Sequence, residues 1–117
     1  TLALRHPHLF ESVSALAPIA APSQVPWGMK AFLHFFGTDR STWAEHDAVS
    51  LLASGKRFAS KPLVDQGSVD KFLADQLRPE LLGSHVALRM HDGYDHSYFF
   101  VQSMIEDQLR HHARVLR

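Results

Sequence analysis

The chain has 117 residues, 45% hydrophobic and 21% charged, enough for one small domain with a core and too apolar for a disordered segment. Twelve Lys and Arg balance twelve Asp and Glu, so no basic face for nucleic acid or an anionic membrane is expected, and small molecules are the expected partners. There is no cysteine to form a disulfide, a thiolate metal site or a nucleophile, which leaves the redox compartment undetermined with cytoplasm as the default; no apolar run long enough to cross a bilayer and no opening signal peptide predict a soluble protein.

The opening TLALRHPHLF starts inside a helical pattern: Leu2, Ala3 and Leu4 run toward the breaker Pro7 with no capping side chain ahead of them, so the sequence reads as one cut upstream. In ESVSALAPIA, Val13, Ala15 and Ala17 alternate with Ser12, Ser14 and Leu16 until Pro18, which predicts a short buried strand. The proline-rich APSQVPWG is a surface loop, and Phe32, Phe35 and Phe36 mark a short helix after it. TDRSTWAEHDAVSLLASG sets Trp43, Ala44, Ala48, Leu51 and Leu52 at near-helical spacing behind Asp39 or Ser41 as cap, predicting one or two short helices.

Leu63 and Val64 begin an apolar strand closed by Gly67. From Asp70 onward Phe72, Leu73, Leu77 and Leu81 predict a helix interrupted at Pro79. HVALRMH alternates Val86, Leu88 and Met90 with Ala87, Arg89 and His91 and predicts another strand, ended by the turn DGYDH. The last segment aligns Phe100, Val101, Met104, Ile105, Leu109, His112 and Leu116 in an amphipathic helix, with Arg110, His111, His112, Arg114 and Arg117 at the pole of the helix dipole that favours cations.

Strands alternating with helices predict a single α/β unit: parallel strands with helices on both faces, and functional residues in the loops beyond the carboxyl ends of the strands. Two such loops carry suitable chemistry, DQGSVD with Asp70 and DGYDHS with His96. Adjacent strands would bring these two together, the acid fixing the Nδ1 tautomer of the imidazole and leaving Nε2 to take a proton from a nucleophile. Asp70 as a helix N-cap and His96 as a loop residue bonded to backbone are the structural alternatives, and Asp65 is a second candidate acid. Asp95 reads as a turn residue, and Trp27, beside Pro26, reads equally as the lining of a substrate pocket or as a packing anchor and is not counted among the site residues. Nine histidines raise the question of a metal, but His6 with His8, and His111 with His112, lack the i, i+4 spacing of a helical ligand pair; solvated histidines near helix ends explain them better, and no metal site is expected.

Four stretches, FESVSALAPIAAPSQVPWGMKAF, FFGTDRSTWAEHDA, VDQGSVDKFL and GYDHSYFF, closely resemble in order and spacing the carboxyl-terminal part of the S-formylglutathione hydrolases, the esterase D family of serine hydrolases. The resemblance covers nearly the whole chain; PWG, DQG followed by Asp70, and GYDHSYFF carry it together. It implies the carboxyl-terminal portion, residues 1–117, of a single α/β-hydrolase domain. It also implies hydrolysis of S-formylglutathione to glutathione and formate, with side activity on small esters, no cofactor, and a homodimer of the full-length protein. Asp70 matches the family's catalytic aspartate and His96 its catalytic histidine. The nucleophilic serine of the family lies in a glycine-flanked elbow just ahead of the helix that opens here as TLALRHP, and no Gly-x-Ser-x-Gly occurs in this sequence. The chain alone is therefore expected to be inactive; a non-catalytic binding or assembly module derived from a hydrolase is the alternative. The segment between Leu77 and Gly93 is also shorter than the family pattern, which predicts a truncated helix after Asp70.

Overall fold

The architecture grows from one buried strand. The computed structural model describes residues 1–117. In it, strand β2 (Leu63–Gly67) is buried at every position and is the middle of a three-stranded parallel sheet, between β1 (Ser14–Leu16) and β3 (Ala87–His91). Four α-helices accompany the sheet: α1 (Leu2–Arg5), α2 (Pro26–Phe36), α3 (Ala48–Ala53) and α4 (Tyr98–Val115). Both outer strands are only partly buried. For β1 this corrects the expectation of a buried strand: its one partner is β2, and its other edge is unpaired.

Side chains of β2 alternate between two layers, as a pleated strand requires. Val64 faces the main core with Leu4 of α1, Ala20, Leu51 and Leu52 of α3, Leu82 and Val86. Each leucine fully removed from water there contributes about 2 kcal/mol. Asp65 points the other way, toward α4, which seats Phe100, Met104 and Gln108. The buried line of α4 is thus narrower than its apolar pattern: Val101, Ile105, Leu109 and Leu116 are exposed. A sheet of three strands offers α4 too little surface to cover a wider stripe.

Caps explain the short helices. Asp47 accepts from the Ser50 amide to start α3, and its other carboxylate oxygen holds Ser23 in a 3₁₀ turn at Pro22–Gln24. Asp39 accepts from the Ser41 amide and opens a 3₁₀ turn at Arg40–Thr42. The regular helix predicted from Asp70 does not form. A single π turn spans Leu73–Leu77, Arg78 adopts a left-handed conformation (φ 48°), and 3₁₀ turns fill Pro79–His85 across a kink at Gly83. Pro79 lacks the amide a continuing helix needs, while Leu77 and Leu82 still reach the core. His111 and His112 are not solvated either. The His111 Nε2 bonds the Val13 carbonyl, and His112 sits between the Ser12 and Ser14 hydroxyls at 2.6 and 2.9 Å, tying the end of α4 to β1.

Asp65 is fully buried yet charged. It accepts from Arg89 Nε and Nη2 at 2.7 and 3.0 Å, from His91 Nε2 at 2.7 Å and from Gln108 Nε2 at 2.6 Å. Burial alone would push its carboxyl up; the bonds from Arg89, His91 and Gln108 and the guanidinium charge outweigh that and hold it below the ordinary value. A depressed folded-state value means the contribution to stability is fully present above the ordinary carboxylate value of 3.8 and is lost as pH falls through the lower, folded value. Asp65→Asn should therefore cost about 3 kcal/mol in urea unfolding at pH 7, by removing the buried charge that Arg89, His91 and Gln108 converge on and leaving Arg89 only its half-exposed partner Asp107, and should flatten the acid limb of the stability curve. An unchanged acid limb in the variant would show that another group sets it.

Gly67 closes β2 beneath the loop that follows β3. A Cβ there would lie 2.2 Å from the Tyr94 carbonyl oxygen, which accepts from the Val69 amide at 3.1 Å. Gly67→Ala should displace residues 93–96 and destabilise the chain by roughly 2 kcal/mol. Urea unfolding checks the energy, and loss of amide protection at Val69 checks the site of the damage.

Candidate active site

Parallel strands end on one side of the sheet, so the loops after β1, β2 and β3 share an edge. Those after β2 and β3 are stitched together: the Ser68 amide donates to the His91 carbonyl at 2.9 Å, and the Gly93 amide to Ser68 Oγ at 3.0 Å. Gly93 has φ 77°, the left-handed turn conformation that glycine adopts without strain. The chain then re-enters helix at Ser97, whose hydroxyl accepts from the Phe100 amide at the start of α4. His96 is thereby held between two anchors.

The Asp70 side chain is fully buried, and its Oδ2 lies 2.7 Å from His96 Nδ1. With Nδ1–H donating to the carboxylate, the basic lone pair of the neutral ring sits on Nε2. Nε2 makes no hydrogen bond within the chain, and the His96 side chain is 40% exposed. The other carboxylate oxygen accepts from the Phe72 amide at 2.9 Å. Asp70 thus organises the turn after β2, as the capping alternative proposed, and meets the histidine as well.

A third donor reaches the same carboxylate: Gln66 Nε2 bonds Asp70 Oδ2 at 3.1 Å from within the core. Phe72 stands edge-on to His96 at 5.3 Å between centroids, and Trp27 packs on Phe72 at 4.4 Å. Trp27 is exposed, and its link to the histidine runs through the Phe72 ring. Neither Gln66 nor Phe72 is legible as a site residue, because Gln66 reads as the polar end of a strand before Gly67 and Phe72 as an apolar helix position. Asp65, the second candidate acid, pairs with His91 and has no contact with His96. Asp95 is exposed in the turn.

Beside His96 runs a groove of about 380 Å³, lined by Leu16 and Ala17 from the end of β1 and by Ser97, Tyr98, Phe100 and Val101. Ala17 adopts φ 47°, an uncommon conformation for a residue with a Cβ, while its amide bonds the Asp65 carbonyl at 2.9 Å. Such strain is found where a neighbouring site fixes the backbone. No three His, Asp or Glu side chains converge on a point where a metal ion could be held. No helix is long and apolar enough to cross a membrane.

In a comparison with solved structures, the chain superposes on an S-formylglutathione hydrolase from Agrobacterium tumefaciens with a TM-score of 0.92 and 43% identity. The match covers 99% of this chain and 44% of that one, so the chain spans less than half the length of that enzyme. The α/β-hydrolase class expected from the sequence is borne out by that likeness and by the parallel sheet with its flanking helices. The Esterase family model matches residues 1–111. A match over nearly the whole length places this chain in the esterase family.

Proposed function

We propose that the chain is the acid–base portion of a serine thioesterase that hydrolyses S-formylglutathione to glutathione and formate and also cleaves small carboxylic esters. His96 is the general base, and Asp70 orients it. The observation that carries this reading is the 2.7 Å bond from His96 Nδ1 to a buried Asp70, with Nε2 free of any hydrogen bond in the chain and His96 lining a groove.

The nucleophile comes from outside these 117 residues, which contain no glycine-flanked serine elbow. A parallel strand added at the free edge of β1 would end level with Leu16, and the turn beyond it would open on the groove beside His96. A serine there passes its proton to Nε2 as Oγ attacks the thioester carbonyl. Asp70 stabilises the imidazolium that results. Collapse of the tetrahedral intermediate breaks the C–S bond, Nε2–H protonates the departing thiolate, and the formyl group stays on the serine. Water, deprotonated by the same nitrogen, then releases formate. The similarity to the Agrobacterium enzyme supports the choice of substrate.

A chimera tests this: the segment of the Agrobacterium tumefaciens hydrolase that the chain matches is replaced by residues 1–117, and turnover of S-formylglutathione and of p-nitrophenyl acetate is measured. The chimera should turn over both. His96→Ala and Asp70→Asn should each lower kcat by about 10⁴-fold or more with the circular dichroism spectrum unchanged. Most of the turnover surviving His96→Ala would sink the assignment. A folded chimera that binds the thioester and does not cleave it would favour the binding-module reading instead.

A further inference from the structure

Gln66 has no explanation as a core residue. It sits in the middle strand at 0% exposure, on the same side of the sheet as Val64 and the leucines, where an apolar side chain of its size would pack without cost. Its Oε1 is buried with no hydrogen-bond partner, which is a penalty. Its Nε2 lies 3.1 Å from Asp70 Oδ2 and 3.2 Å from the Gly67 carbonyl oxygen. Both neighbours are acceptors, so the amide has one orientation: turned over, it would set its oxygen against a carboxylate and a carbonyl. The stranded oxygen is the consequence of pointing the nitrogen at Asp70.

We propose that Gln66 is a positioning residue that acts through Asp70, an inference that rests on the triad reading of Asp70 and His96. Three donors surround the carboxylate. The Phe72 amide fixes Oδ1, and Oδ2 is shared between Gln66 and His96. A carboxylate held by Phe72 and His96 alone can pivot about its last side-chain torsion, which is broad for aspartate. The bond from Gln66 stops that pivot and leaves one lone pair of Oδ2 aimed at Nδ1. The amide is neutral, so it steadies the carboxylate without competing with the imidazolium for its charge, as a lysine or arginine would. No Lys or Arg pairs with Asp70.

Gln66→Met is the test, since it keeps the length and removes both the donor and the orphan acceptor. In the chimera it should lower kcat roughly tenfold, the worth of one hydrogen bond to a charged group, with KM unchanged. In an Asp70→Asn background it should cost less than about twofold more, because its route to the histidine is already gone. The thermal midpoint should be equal to or above that of the parent chimera, the opposite of what a merely structural glutamine predicts. In the 117-residue chain labelled with ¹⁵N-histidine, the His96 Nδ1–H resonance should be sharp in the parent and broadened by exchange in Gln66→Met. An unchanged kcat, an equal loss in both backgrounds, or an unaltered Nδ1–H signal would each overturn the role of Gln66 while leaving the triad standing. Full turnover by Asp70→Asn would overturn the triad itself, and the role of Gln66 with it.

Discussion

The buried carboxylate of Asp65 is the constraint on which the rest of the structure depends. A charge removed from water must be neutralised where it lies, and Asp65 draws its donors from two elements besides its own: Arg89 and His91 of β3, and Gln108 of α4. Arg89 stands directly across from Asp65 in the parallel register, and His91 is two residues further along the same face. A slip of β3 by one residue would turn both donors to the opposite layer. The network therefore sets where β3 ends, and α4 is tied to the same carboxylate, so both borders of the loop carrying His96 are fixed by it. Replacing the whole cluster with apolar residues would change stability little, whereas removing one member leaves a charge stranded. What the cluster supplies is register.

That register reached the sequence unevenly. β2 and β3 were legible because buried or alternating apolar residues bounded by Gly67 and Gly93 have no other simple reading. The closeness of Asp70 and His96 followed from placing their loops after adjacent parallel strands, a topological inference that needed no side-chain detail. A continuous helix after Asp70 is the wrong expectation because Leu73, Leu77 and Leu81 keep helical spacing even though the first two bound one π turn and the third lies in the 3₁₀ turns beyond Arg78. The apolar stripe of α4 is wider than its buried line for a related reason. Periodicity reports which residues are apolar, and the width of the opposing sheet decides how many are covered. His111 and His112 gave no signal, since their partners Ser12, Val13 and Ser14 lie about a hundred residues away in the chain.

The same narrow sheet shapes the site. The chain has a radius of gyration of 14.5 Å, where a closed domain of this length would have roughly 13 Å, and extents of 40 × 34 × 22 Å, a slab rather than a sphere. Its open side includes the free edge of β1, and the groove beside His96 joins the end of β1 at Leu16 and Ala17 to the exposed Val101 of α4. In the proposed reading, the groove beside His96 on this side is where a serine from an added strand would complete the triad.

Two acid–histidine pairs in this chain share the same separation of 26 residues, Asp65 with His91 and Asp70 with His96, and both are bonded at 2.7 Å. The register of β2 and β3 does not set that number: the strands pair at an offset of 24, His91 stands two residues past the partner of Asp65, and Asp70 and His96 lie in the loops beyond the paired residues. Spacing therefore cannot say which pair does chemistry; surroundings can. Asp65 is bonded by a guanidinium and an amide besides its histidine, and His91 is mostly buried against Phe100 and Tyr94. A carboxylate so saturated has little left with which to stabilise a new imidazolium. Asp70 has only neutral donors beside its histidine, and that histidine keeps a nitrogen free at a groove. In the proposed reading one kind of pair thus serves two ends, register in the interior and proton transfer at the rim, and the division between them is made by which pair meets a cation and which meets open space.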